Sequence, residues 1–270
     1  MRLQPGVKQF PVGRVFGQGR ALLGLTAVNY TEAMSAAKTP ATTLKARAPA
    51  RADAATVREI FARLRAANPA PQGELEWVNA YTLLVAVVLS AQATDVGVNK
   101  ATPELFRLAD TPEKMVALGE DRIRDLIKTI GLYKTKAKNV WLLSRDLVEK
   151  HGGEVPATRE ALQALPGVGR KTANVVLNIA FGQPTIAVDT HIFRLANRLG
   201  LAPGRTPEEV EKRLAAIIPE PWVRHSHHWL ILHGRYVCKA RKPECERCLI
   251  ADLCKSPEKT AAAPAKPVDF

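Results

Sequence analysis

The chain has 270 residues, 46% of them hydrophobic, enough for one large core or two smaller ones. A formal net charge of +13 implies a polyanionic partner, but residues 1–52 hold eight Lys/Arg against the single acid Glu32, or +7, and the remainder holds +6. No apolar run is long enough to cross a membrane, the longest being Leu83–Ala91, and four cysteines confined to Cys238–Cys254 exclude a disulfide framework spread through the core.

Residues 1–52 show little helical period and are rich in Ala, Thr, Pro, Gly and basic residues, which predicts a disordered basic extension. Ala21–Val28 is too short and too weakly apolar for a good signal peptide. An organelle transit peptide and a true start at Met34 are the alternatives for this stretch. Regular structure begins near Asp53. Val57–Ala66 has apolar residues at helical spacing and ends at Asn68-Pro69, and Tyr81–Ser90 reads as a core helix. Thr111-Pro112-Glu113 and Thr206-Pro207-Glu208 read as helix starts, with proline in the first turn and an acid after it. Thr185–Val188 is a short strand candidate, and Ser256–Phe270 a fraying Ala/Pro/Lys-rich tail. Helices joined by short loops imply an all-α fold.

Thr158–Gly182 is the most informative segment. Thr158 can cap a helix that stops at Leu165-Pro166-Gly167-Val168-Gly169, and a second helix starts near Arg170 and ends at Gly182. Ala173, Val176, Leu177 and Ala180 form its core face, and Lys171, Asn174 and Asn178 the opposite stripe. The glycine turn and the positive end of the second helix make a candidate phosphate site. Taken alone, Lys171 reads as a solvated helix lysine and Asp189 as the cap of a helix with Ile192, Leu195, Ala196 and Leu199 at core spacing. Their sequence setting favours more: Lys171 lies within reach of the glycine turn and opposes the apolar face, and Asp189 comes eighteen residues later. His225-Ser226-His227-His228, with His233, reads as part of a packed helix rather than as a metal site, because Trp229, Leu230 and Leu232 pack beside it. The spacing Cys238-x6-Cys245-x2-Cys248-x5-Cys254 can surround one metal centre, and by itself leaves zinc and iron–sulfur open.

The run Leu165–Asn178, followed by Val188-Asp189-Thr190-His191-Ile192-Phe193-Arg194, resembles endonuclease III, the helix-hairpin-helix DNA glycosylase and abasic-site lyase family. Leu89–Asp95, Lys128–Tyr133 and His227–Tyr236 extend the resemblance over roughly Val57–Lys255. It implies that Lys171 is the nucleophile and Asp189 the catalytic aspartate. It implies that Gln92 and Leu132 enter the DNA stack, and that Gly167, Val168, Gly169 and Arg170 form the phosphate-holding hairpin. An ordinary lysine is protonated, and the adjacent charge of Arg170 is a candidate for activating Lys171. His191 then borders the DNA, and Arg241 and Lys242 belong to a phosphate loop that Glu244 weakens. The four cysteines are implied to hold one [4Fe–4S] cluster. The nearest rival, the adenine-mismatch glycosylases, usually lacks the lysine and carries a further C-terminal domain; a non-enzymatic DNA-binding module explains the charge and hairpin but not Lys171 with Asp189.

The expected architecture is two helical lobes with a DNA-binding groove between them. One lobe spans 73–183 and contains the helix-hairpin-helix at about 158–182; the other combines 53–72 with 184–255 and holds the cluster; 256–270 is a flexible tail. The expected protein is a monomer in the bacterial cytoplasm, associated with the nucleoid, acting on damaged double-stranded DNA by removing oxidised pyrimidines.

Overall fold

A computed structural model describes residues 51–260, and among these the ordered elements are helical, with no strand. The readings of residues 1–50, including the start at Met34, and of 261–270 lie outside the described residues. The chain begins with α1 (Ala54–Ala67), capped by Asp53, whose carboxylate accepts from the Thr56 N–H at 2.7 Å. α2 (Ala80–Leu89) opens with a reciprocal capping box between Asn79 and Thr82. It is buried all round, which accounts for its uninterrupted apolar sequence. α3 (Asp95–Leu108), α4 (Pro112–Leu118), α5 (Glu120–Leu126) and α6 (Tyr133–His151) follow, then α7 (Arg159–Gln163) and α8 (Arg170–Phe181). α9 (Thr190–Arg198), α10 (Pro207–Ile217) and α11 (Glu220–Tyr236) lead to a single 3-10 turn at Cys245–Arg247.

Two cores organise these helices. Leu84, Leu105, Ile123, Leu143, Leu147, Leu162 and Val176 belong to the first, built from α2 to α8. Ile60, Phe61, Leu195, Leu214, Trp229, Leu230 and Ile250 belong to the second, in which α1 joins α9 to α11 and the cysteine segment. Burying each such side chain stabilises the fold by roughly 1.5–3 kcal/mol relative to exposure. The N-terminal helix is fastened to C-terminal chain: Trp229 Nε1 donates to the Asn68 carbonyl (2.7 Å), and Arg63 donates to the Leu249 carbonyl (3.0 Å) and the Asp252 carboxylate (2.6 Å). A third small cluster of Leu83, Val87, Val175 and Ala187 packs α2 and α8 against the segment that leads to α9.

Four readings change here. Thr185–Val188 is extended but pairs with no strand, and Asn174 and Asn178 bond its carbonyls. Those two asparagines are buried, so the polar stripe of α8 faces protein and only Lys171 reaches solvent. Ala52 already belongs to the folded unit, donating to the Gly200 carbonyl at 2.9 Å. The start of the C-terminal tail is held as well, with Ser256 buried and Glu258 paired to Arg198.

Candidate active site

Both cores contribute walls to a groove of about 1040 Å³, lined by Gln92 and Asp95, by Lys171, by Asp189 and His191, and by the inner face of α11. Lys171 is the second residue of α8 and exposed. Asp189 caps α9, its Oδ1 accepting from the Ile192 N–H at 2.8 Å, which fixes the carboxylate at the start of that helix. The two are placed relative to each other by the buried asparagines. Asn178 Nδ2 lies within hydrogen-bonding distance of the carbonyls of Gln183 (3.3 Å), Thr185 (2.9 Å) and Arg224 (3.0 Å). Asn174 Nδ2 donates to the Ile186 carbonyl, while its Oδ1 accepts from Arg159 Nε. The helix carrying Lys171 therefore grips the segment that delivers Asp189.

A second carboxylate sits with this pair. Burial pushes the Asp95 carboxyl up from its ordinary value; Lys171 counters that rise and Asp189 adds to it. Arg235 Nη1, 2.7 Å from Asp95 Oδ2, holds the ionised form against its burial. His227, fully enclosed on α11, is held well below its ordinary value by burial first, then by His228 and Lys171, so it stands neutral beside the site.

The hairpin turn shows which glycine the fold requires. Gly167 has φ +78°, and a Cβ there would lie 2.9 Å from Asn139 Nδ2. Gly169 has ordinary extended backbone (φ −90°, ψ 176°), and a Cβ there would meet nothing within 4 Å. It begins α8 with no side-chain cap, so no side chain occupies the first-turn amides that an anion would use. Val168 departs from expectation: its side chain is buried in the first core and its N–H donates to the Leu165 carbonyl at 3.1 Å. Arg170 departs as well. Its guanidinium is bidentate on Glu211 of α10 (2.8 and 2.9 Å), so it anchors the hairpin to the second core instead of pointing at Lys171 or a phosphate.

Among the described residues, three besides glycines have positive φ: Gln92 (53°), Leu132 (59°) and Lys242 (52°). All three are exposed and all three were singled out in the sequence as DNA contacts. Left-handed backbone costs a residue such as leucine roughly 1–2 kcal/mol, strain that persists where the surroundings impose it. The Gln92 and Leu132 loops adjoin, since a Cβ on Gly131 would lie 4.0 Å from the Gln92 carbonyl oxygen. In the basic loop, Arg241 and Lys242 are exposed, whereas Glu244 is paired with Lys239 and Arg247.

The cysteines form no disulfide. Burial first, and then the Cys238, Cys254 and Cys245 sulfurs around it, push the Cys248 thiol up to about 12. Four thiolates so placed need strong positive charge at their centre. Arg198 Nη1 approaches Cys238 Sγ at 3.6 Å and donates to the Lys239 carbonyl (2.6 Å), while its Nη2 donates to the Ala240 carbonyl (3.0 Å). Arg194, one turn earlier, donates to the Gly234 and Cys238 carbonyls. Among the described residues no three His, Cys, Asp or Glu side chains converge tightly enough for one metal ion. Four cysteine ligands suit an all-cysteine iron–sulfur cluster as well as a zinc ion. Arg194 and Arg198 were not recognised from the sequence; two arginines four apart beside the core face of α9 were the available signal.

A two-lobed helical fold with a glycine hairpin, a lysine and an aspartate in one groove, and a C-terminal cysteine cluster defines a class of DNA repair protein. The family model for the HhH-GPD superfamily of base excision DNA repair proteins matches residues 85–220, and that for the iron–sulfur binding domain of endonuclease III matches residues 238–254. The chain is 57% identical to endonuclease III of Treponema pallidum over 202 residues, which is 75% of this chain and 96% of the relative. It is 58% identical to endonuclease III of Escherichia coli K12 over 201 residues, covering 74% and 95% respectively. A trapped covalent intermediate of endonuclease III with DNA matches with a TM-score of 0.71 at 44% identity over 76% of this chain and 96% of that one. A thermostable thymine-DNA glycosylase matches with a TM-score of 0.68 at 25% identity over 75% and 98%. The chain belongs to the endonuclease III family, and its four cysteines are an iron–sulfur site.

Proposed function

We propose that this chain is a bifunctional DNA glycosylase and abasic-site lyase that removes oxidised pyrimidines from duplex DNA, with Lys171 as nucleophile and Asp189 as its fixed countercharge. The observation that carries this is Lys171 exposed on the first turn of α8, two residues after the uncapped start at Gly169, in the same groove as Asp189.

In this reading a backbone phosphate rests on the amides at the start of α8, and Arg241 and Lys242 hold a second stretch of backbone. Gln92 and Leu132 enter the stack and fill the place of a nucleotide turned into the groove, a step that costs a few kcal/mol and less at a damaged pair. The neutral amine of Lys171 attacks C1′, and the base leaves with the bonding pair. Asp189, fixed in place by its capping bond, stabilises the positive charge that develops on the sugar. The resulting Schiff base on Lys171 permits β-elimination, which breaks the strand on the 3′ side. Cys238, Cys245, Cys248 and Cys254 would hold a [4Fe–4S] cluster, which supplies a rigid, charged centre that fixes the basic loop against α9 through Arg194 and Arg198.

Residues 73–183, and 53–72 with 184–255, act as the two lobes on either side of the duplex. The enzyme works as a monomer in the bacterial cytoplasm, at the nucleoid, in keeping with its bacterial relatives. Borohydride trapping on a panel of lesion-containing duplexes tests the reading. Lys171→Gln should abolish the covalent adduct, and a normal adduct yield would refute the assignment.

A further inference from the structure

Two consecutive residues at the end of α11 reach across the groove to the opposite lobe. Arg235 bonds Asp95 Oδ2 at 2.7 Å and also pairs with Glu74, and the Tyr236 hydroxyl donates to Glu74. Glu74 is itself fixed, because Asn99 of α3 bonds the Glu74 carbonyl (2.8 Å) and the Glu76 N–H (3.0 Å). Asp95 is the first residue of α3, and its side chain is only 18% exposed. It lines the groove beside Lys171, within electrostatic reach of both Lys171 and Asp189. A carboxylate buried this far is stable only with a partner, and the partner is supplied by the other lobe.

We infer that Asp95 is a positioning residue for Lys171, and that Arg235 is the residue that holds Asp95 in place when the lobes are closed. Lys171 then stands between two fixed negative charges, Asp189 at the start of α9 and Asp95 at the start of α3, which aim its long, flexible side chain into the groove. Such aiming is worth orders of magnitude, because small displacements of a reacting group are costly. Asp189 reports the position of one lobe and Asp95 that of the other, so Lys171 is correctly aimed only when Arg235 spans the gap. This rests on Lys171 being the nucleophile.

Single-turnover borohydride trapping on an abasic duplex, with binding to an uncleavable tetrahydrofuran duplex measured alongside, separates aiming from binding. Asp95→Asn should lower the trapping rate by about 10- to 100-fold while changing tetrahydrofuran affinity less than about threefold. Asp95→Glu should recover part of the rate. Arg235→Met should resemble Asp95→Asn, Arg235→Lys should lie between it and the native protein, and the double variant should be no slower than the worse single one, because the two residues act through one contact. The inference is overturned if Asp95→Asn traps at the native rate, if rate and affinity fall together, or if the two losses multiply. If instead Lys171→Gln still forms the adduct, the nucleophile assignment itself has failed and the positioning role of Asp95 falls with it, an outcome distinct from a native trapping rate in Asp95→Asn alone.

Discussion

Asn178 donates to the carbonyl of Thr185 at 2.9 Å, and with that bond the helix bearing Lys171 holds the segment that ends at Asp189. Asn178→Ala removes the donor shared by three carbonyls of a nearly buried pocket. Leaving buried acceptors unpaired costs about 1–3 kcal/mol. The variant should melt several degrees lower, and at a temperature where it remains folded its trapping rate should fall more than its DNA affinity. An unchanged melting temperature would show that the carbonyls find other partners.

Leu132 is 59% exposed and in the left-handed region at φ 59°. Glycine adopts that backbone without penalty, so Leu132→Gly should leave stability unchanged or raise it by up to about 1 kcal/mol. The same change removes the side chain assigned to the gap in the duplex. Base release from paired lesions should therefore drop at least tenfold, with a smaller loss on single-stranded or mismatched substrate. Equal losses on all substrates would argue against a wedge role.

The two hairpin glycines should separate fold from binding. Gly167→Ala forces a Cβ to within 2.9 Å of Asn139 at φ +78°, so it should lower stability by about 1–3 kcal/mol. Gly169→Ala meets open space and ordinary backbone, so its melting temperature should match the native protein within error. Its affinity for duplex DNA should nevertheless fall, because the methyl occupies the space assigned to a phosphate. Native affinity in Gly169→Ala would place the phosphate elsewhere.

Much of this arrangement was legible in the sequence because it depends on local chemistry. Thr111, Thr158 and Thr206 start helices with residues whose short oxygens reach an N–H three positions on, and such a bond needs no tertiary context. Asp189 was recognisable as a cap for the same reason. What stayed hidden depends on direction or distance. Helical periodicity assigns Asn174 and Asn178 to solvent, and only the folded chain shows the carbonyls waiting for them. Sequence adjacency put Arg170 beside Lys171, but neighbouring residues on a helix point about 100° apart, and Glu211 lies on the side that Arg170 faces. The contact between Arg235 and Asp95 joins residues 140 apart, which no local pattern encodes.

Glu244 neutralises Lys239 and Arg247 inside the basic loop. Glu244→Gln frees those charges for phosphate, so binding to undamaged duplex should tighten a few-fold at moderate salt. The slope of log affinity against log salt should steepen by about one, the increment expected for one further phosphate contact. The visible spectrum of the cluster, recorded on the same sample, shows whether the neighbouring cysteines still hold their iron. No change in slope would show that Lys239 and Arg247 lie too far from the backbone to serve it.

His228 gives the pH dependence of stability a definite sign. Burial, with His225 adding to it, holds the ring down at about 4. The same imidazole in the unfolded chain takes up a proton below about 6.5. Between these values the unfolded state binds more protons than the native one, so stability is complete above pH ~6.5 and falls as pH drops towards 4. The gap sets an upper bound of about 3 kcal/mol for this group, and His227, also buried and depressed, acts in the same direction. Denaturant midpoints measured from pH 7 to 4.5 should decline, and in His228→Gln the decline should be shallower. The His228 ring proton followed by NMR in the folded protein should show no titration step near pH 6.5; a step there would mean that the ring is open to water and contributes nothing to acid sensitivity.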